Sequence, residues 1–107
     1  MILEVSSEVD RIGDTIEERV EEGFPWVLRE WPSLLKNADL EKLDMTDNCR
    51  CLVAQTFGTF EEGVSQMGLT IDDVLRYGLG IDLGEDLNLE DFTPVWKAKI
   101  EAWRQNA

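Results

Sequence analysis

The chain has no histidine and only ten lysines and arginines against twenty-three aspartates and glutamates, a net charge of −13 on 107 residues. Without histidine, the usual general base near neutral pH is missing. The shortage of cations argues against direct nucleic-acid binding, which depends on Lys and Arg neutralising phosphates. Attraction to an anionic membrane surface is disfavoured for the same reason. Only two cysteines are present, Cys49 and Cys51, with one residue between them. That spacing disfavours a disulfide within the pair and gives no framework of the secreted type. No basic stretch leads into a long apolar run near the N-terminus, and no apolar segment approaches the ~20 residues of a membrane span. These features predict a soluble protein of a reducing cytoplasm.

Metal and cofactor chemistry is equally thin. Cys49-Arg50-Cys51 supplies two thiols, but zinc takes four ligands at wider spacing. The acidic stretch Asp82–Asp91 lacks a glycine and a terminal bidentate glutamate at the spacing of a calcium loop. No glycine-rich phosphate loop and no nucleophile elbow are found. A carboxylate pair of the glycosidase type has no distinguishing mark among so many acids. The expectation is a protein without cofactor, metal or catalytic residues.

What the chain does have is a core. Hydrophobic residues make up 43% of it, with four Trp and four Phe, too many for an acidic disordered tail. Its length suits one domain, residues 1–107. Val5, Val9, Ile12, Ile16 and Val20 recur at helical spacing and predict an amphipathic helix over 5–22, stopped by Gly23. Pro32 opens a short helix as its first residue. Thr46 or Asp47 caps a central helix with Cys49, Leu52, Val53 and Phe57 on its apolar face, ended by Gly58. Thr59-Phe60-Glu61-Glu62 has capping-box spacing and starts a helix that Gly68 stops. Thr70 to Asp73 repeats the layout, with Gly78 as stop. Residues 78–91 read as an extended loop or a short strand. Thr93 caps the last helix with Pro94 at its first position. Val95, Trp96, Ile100 and Trp103 line one face of that helix. Lys97, Lys99 and Arg104 suit the negative end of its own dipole.

The predicted fold is all-α, a compact single domain of five to six short helices. Val9, Ile12, Ile16, Leu52, Val53, Phe57, Trp96 and Ile100 are expected inside. The four tryptophans, Trp26, Trp31, Trp96 and Trp103, should supply much of the core, with one or two at its rim.

The charge is uneven. Residues 1–22 carry eight acids and two bases, 59–91 nine and one, and 92–107 one and three. Asp10, Asp14, Glu17 and Glu21 fall at helical spacing opposite the valine stripe, with carboxylates roughly 5–6 Å apart along the axis. Such a strip is either a solvated face or a recognition strip for a basic groove. Near-uniform sign costs a few tenths of a kcal/mol per i,i+4 pair, which keeps the second reading open. Asp82, Glu85 and Asp86 are the other candidate partner-binding residues. If the chain mimics nucleic acid, residues 8–22 and 59–91 should form one surface, with the basic last helix away from it. Crowded acids should also have raised pKa values, making the fold more stable near pH 5 than near pH 8.

The stretch Leu43-Asp44-Met45-Thr46-Asp47-Asn48-Cys49-Arg50-Cys51-Leu52-Val53-Ala54-Gln55-Thr56-Phe57-Gly58 resembles a segment of small acidic proteins of phages that infect actinobacteria. Phe60, Gly63, Met67-Gly68-Leu69-Thr70 and Phe92-Thr93-Pro94-Val95-Trp96 continue the resemblance, which spans residues 43–104. It implies a phage origin and transfers no catalytic residue. Size, acidity and this resemblance together predict a protein that binds and inhibits or redirects a host or defence protein with a basic surface. The alternative is a structural or accessory phage protein that acts through assembly.

Overall fold

In the computed structural model, residues 12–81 and 87–106 are described. They form α1 (Ile16–Glu30), α2 (Pro32–Asn37), α3 (Ala54–Phe57), α4 (Phe60–Met67), α5 (Ile71–Arg76), a 3-10 turn (Leu89–Asp91) and α6 (Phe92–Asn106), with no strand among them. The protein is all-α, as its periodicity predicts. Its radius of gyration, 13.7 Å, is close to the ~13 Å of a compact chain of about this length.

Helix α1 departs from the expected 5–22 at both ends. It begins at Ile16, because Thr15 is its N-cap. The Thr15 hydroxyl accepts the Glu18 amide at 3.1 Å, while the Glu18 carboxylate accepts the Asp14 and Thr15 amides at 2.8 and 3.2 Å. This reciprocal box satisfies orphan donors and sets a start that the valine stripe masks. Val5 and Val9 lie outside the described residues. Gly23 does not stop the helix; it sits in the interior, buried against the turn after α5. A Cβ there would lie 1.9 Å from the Tyr77 carbonyl oxygen. The glycine is a point of close approach. Pro25 is also interior, on the exposed side, and α1 continues through it because Val20 and Val27 are fully buried.

The other short helices follow the local signals more closely. Pro32 is the first residue of α2. The Thr59 hydroxyl accepts the Glu62 amide at 3.1 Å and opens α4. Gly68 closes it in the left-handed region, φ 70°. Thr70 and Asp73 form a complete capping box on α5, which ends at Arg76, just before Gly78. The central helix is much shorter than expected: residues 45–53 are turns and only Ala54–Phe57 is regular. Asp47 holds the turns instead, its carboxylate accepting the Cys49 amide at 2.7 Å and Arg50 Nε at 3.1 Å. Gln55 ties them to the loop after α2 through the Asp39 amide and the Asp39 and Arg50 carbonyls.

Helix α6 starts two residues earlier than expected, at Phe92 instead of Pro94, fed by the 3-10 turn. Thr93 is therefore no N-cap. Its hydroxyl instead accepts the Met45 amide at 2.9 Å. Trp96 and Ile100 are fully buried, with Phe92, and Trp96 Nε1 donates to the Gly78 carbonyl at 2.8 Å. Leu52 and Val53 complete the buried set as expected, whereas Ile12, Ile16 and Phe57 are half-buried. Trp26, Trp31 and Trp103 pack at the core's edge. Arg104 does not serve its own helix end. It donates to the carbonyls of Leu35 and Ala38 at 2.8 and 2.7 Å and, more weakly, to that of Lys36, so it caps α2 from across the fold. Within the described residues, no helix is long and apolar enough to cross a membrane.

Candidate functional site

Helix α1 is held on two flanks. On one, Trp26 stacks on Tyr77, ring centroids 4.4 Å apart and planes within 7°. On the other, Phe24 meets the edge of Trp103 at 6.5 Å, and the Lys99 ammonium lies 5.9 Å from the Phe24 ring centre. The exposed ridge between the flanks carries Glu18, Glu22, Pro25 and Arg29.

The predicted acidic strip is divided by this arrangement. Asp10, Asp82, Glu85 and Asp86 lie outside the described residues. Asp14 precedes α1 and is exposed, so it is not on a helix face with the others. Glu17 and Glu21 do share a face, one turn apart, but it is the flank toward α6. Glu21 Oε2 pairs with Lys99 Nζ at 2.6 Å. The basic last helix therefore lies against this acidic face, not away from it. The reason is packing: the apolar side of α6 seats Phe92, Trp96 and Ile100 under α1 and brings Lys99 across to the nearest carboxylate.

Glu17 and Glu21 border an open groove of about 410 Å³ whose floor and far wall are Pro94, Val95, Ala98, Lys99 and Ala102. Pro94, Ala98 and Ala102 are exposed, Val95 half-buried. Sequence reasoning missed this floor because it placed Val95 with Trp96, Ile100 and Trp103 on one face. The signal was present: Pro94, Ala98 and Ala102 recur every four residues on a second face of α6. A helix apolar on two faces has one face to spare after folding.

The other acids serve different ends. Glu18 and Asp73 are committed to capping boxes. Asp44 accepts both the Thr46 hydroxyl, at 2.6 Å, and the Thr46 amide, at 3.0 Å. The Thr46 bonds hold its carboxyl below the usual carboxylate range, and the Cys49 amide with Arg50 does the same for Asp47. Crowding was expected to raise carboxyl pKa values. At Asp47 hydrogen bonds to the charged form outweigh desolvation and repulsion from Asp44, and at Asp44 they outweigh desolvation. Burial pushes the Cys51 thiol up, and Cys51 Sγ accepts the Ala54 amide, so this cysteine belongs to the core. Cys49 is exposed. No group of three or more potential metal ligands occurs among the described residues.

No protein-family model, curated protein or solved structure matches this chain.

Proposed function

We propose that this protein acts by binding a partner protein with a basic surface, and that in a phage-infected bacterium it inhibits or redirects that host or defence protein. The observation that carries the reading is the state of the surface carboxylates. Glu17, Glu22, Asp91 and Glu101 are exposed and have no ion-pair partner among the described residues. Helix ends use other acids for structure, Glu62 and Asp72 among them in the first turns of α4 and α5, whereas Glu22 and Glu101 sit in helix interiors, away from any positive helix end. An acidic surface on an ordered scaffold steers cationic partners and raises association rates. The fold supports binding through a helical surface better than mimicry by a continuous strip on α1, since Asp14 leaves the helix and Glu21 is paired.

The test is capture of partners by the tagged protein expressed in a bacterial host. Retained proteins should be basic and should elute as salt rises past the point where exposed charges are screened. Retention of neutral or acidic proteins that salt does not displace would refute the proposal. Recovery of the chain chiefly in assembled particles would favour the accessory, assembly role instead.

A further inference from the structure

The groove between α1 and α6 has the features of a binding site for one particular kind of structure. We infer that it seats a basic amphipathic helix of the partner protein; this rests on the proposed function and assigns it a location. The floor is apolar and open, built from Pro94, Val95, Ala98 and Ala102. Its volume, about 410 Å³, is enough for two or three aliphatic anchors of a helix laid along it. Small alanines let a partner backbone come close.

The surroundings select the sign of the partner. Glu17 and Glu21 stand on the α1 side, the latter with its side chain 65% exposed. Glu101 follows Ala98 by one turn on the outer side of α6, and Asp91 precedes Pro94; both are exposed. The one cation in the lining, Lys99, is already paired with Glu21 and rests over Phe24. An arriving lysine or arginine would meet Glu17 directly and compete with Lys99 for Glu21. Charge also argues against two other occupants. A second copy brings another net charge of −13. Residues 1–11 carry Glu4, Glu8 and Asp10 against Arg11 alone, so they too meet carboxylates of their own sign.

The probe is a fluorescein-labelled peptide of about fifteen residues, with leucines at i, i+3, i+4 and i+7 and lysines elsewhere, long enough to form a helix on binding. Its binding to the full chain is read by anisotropy at about 50 and 300 mM salt. The expected result is saturable binding that weakens with salt. Ala98→Trp, which fills the groove at an exposed position, should weaken it about tenfold. Glu17→Gln should weaken it less and flatten the salt dependence. The double variant Glu62→Gln/Asp72→Asn removes charge away from the groove and should stay within about twofold of the parent, as distant surface sites do. Circular dichroism confirms that each variant is folded.

Three results would overturn the inference. The first is an equal loss in the Glu62/Asp72 variant and in Ala98→Trp, which would mean the peptide follows net charge alone. The second is tighter peptide binding when Leu3→Gln and Val5→Gln, which add no charge, are introduced, which would identify the chain's own first residues as the occupant. The third is a dimer in sedimentation that Ala98→Trp dissociates. None of these bears on salt-sensitive capture of a basic partner, so loss of the groove site and loss of the proposed function are separable.

Discussion

Replacing Gly23 by alanine tests the packing of the fold at its tightest point. In an ordinary helix interior the change stabilises, by up to about 1 kcal/mol. Here the new methyl would sit 1.9 Å from the Tyr77 oxygen, 2.7 Å from its carbonyl carbon and 3.0 Å from its Cα. An ordinary carbon–oxygen contact is about 3.3 Å or more, so α1 and the 77–78 turn must separate by well over an ångström. Both sides are backbone, and neither can swing aside. The turn also carries the Tyr77 ring stacked on Trp26 and the Gly78 carbonyl that accepts Trp96 Nε1. Overpacking costs about 1–3 kcal/mol, and losing the buried indole hydrogen bond about 1 more. Against the propensity gain, the net is a destabilisation of about 1–3 kcal/mol. Urea unfolding followed by tryptophan fluorescence should show the midpoint falling by roughly 1–2 M at an m-value of about 1.5 kcal/mol/M. Gly68→Ala is the control. Gly68 has φ 70°, but a Cβ there would meet nothing within 4 Å, so only conformational strain applies, about 1 kcal/mol. If Gly23→Ala is as stable as the parent, or more stable than Gly68→Ala, the close approach of α1 to Tyr77 is wrong.

Thr15→Ala should cost about 1 kcal/mol in thermal unfolding by removing the hydroxyl side of the α1 box; an unchanged midpoint would place the helix start elsewhere. Arg104→Met keeps the aliphatic stem and strips the Leu35, Lys36 and Ala38 carbonyls of their donor. A loss of about 1–2 kcal/mol is expected, and Arg104→Lys should recover only part of it because an ammonium has no fork. Asp44 and Asp47 fix the sign of a pH effect. Their folded pKa values lie below the unfolded ones, so their stabilisation is present above the unfolded pKa and is lost as pH falls through the folded one. The gap in melting temperature between the parent and Asp47→Asn should therefore narrow from about pH 5 to pH 3. A gap that widens on acidification would show that repulsion dominates at this site.

What the sequence made legible was mostly local. The caps at Thr59 and Thr70, Pro32 at its helix start and the Gly68 stop all depend on atoms a few residues apart, so spacing reveals them. Where a long-range contact decides, spacing misleads. Gly23 looks like a stop because glycine usually is one, yet its missing Cβ is required by Tyr77 from another part of the fold. Thr93-Pro94 looks like a helix start, but the 3-10 turn before it supplies the first turn and frees Thr93 to bind Met45. The Thr15-Ile16-Glu17-Glu18 box was readable, and was hidden by a valine stripe that runs through it. Residues 45–53 have helical apolar spacing, but Asp47 satisfies the Cys49 amide and Arg50, giving that backbone a competing set of bonds.

The same distinction governs the candidate site. Counting acids along α1 gives a strip of one sign, because a helical wheel knows nothing of the neighbouring helix. Packing then assigns each carboxylate a different situation: Glu18 closes the helix start, Glu21 meets Lys99, Glu17 borders the groove and Glu22 faces solvent. Charge alone therefore did not locate a binding surface. The proposed binding surface rests instead on α6, where burying Trp96 and Ile100 leaves Pro94, Val95, Ala98 and Ala102 lining an open groove beside those acids. A face built only to be solvated would carry polar side chains at these four positions. Their apolar character beside Glu17 and Glu21 ties the acidity of the chain to a place where a cationic, partly apolar partner can lose water on one side and keep its charges paired on the other.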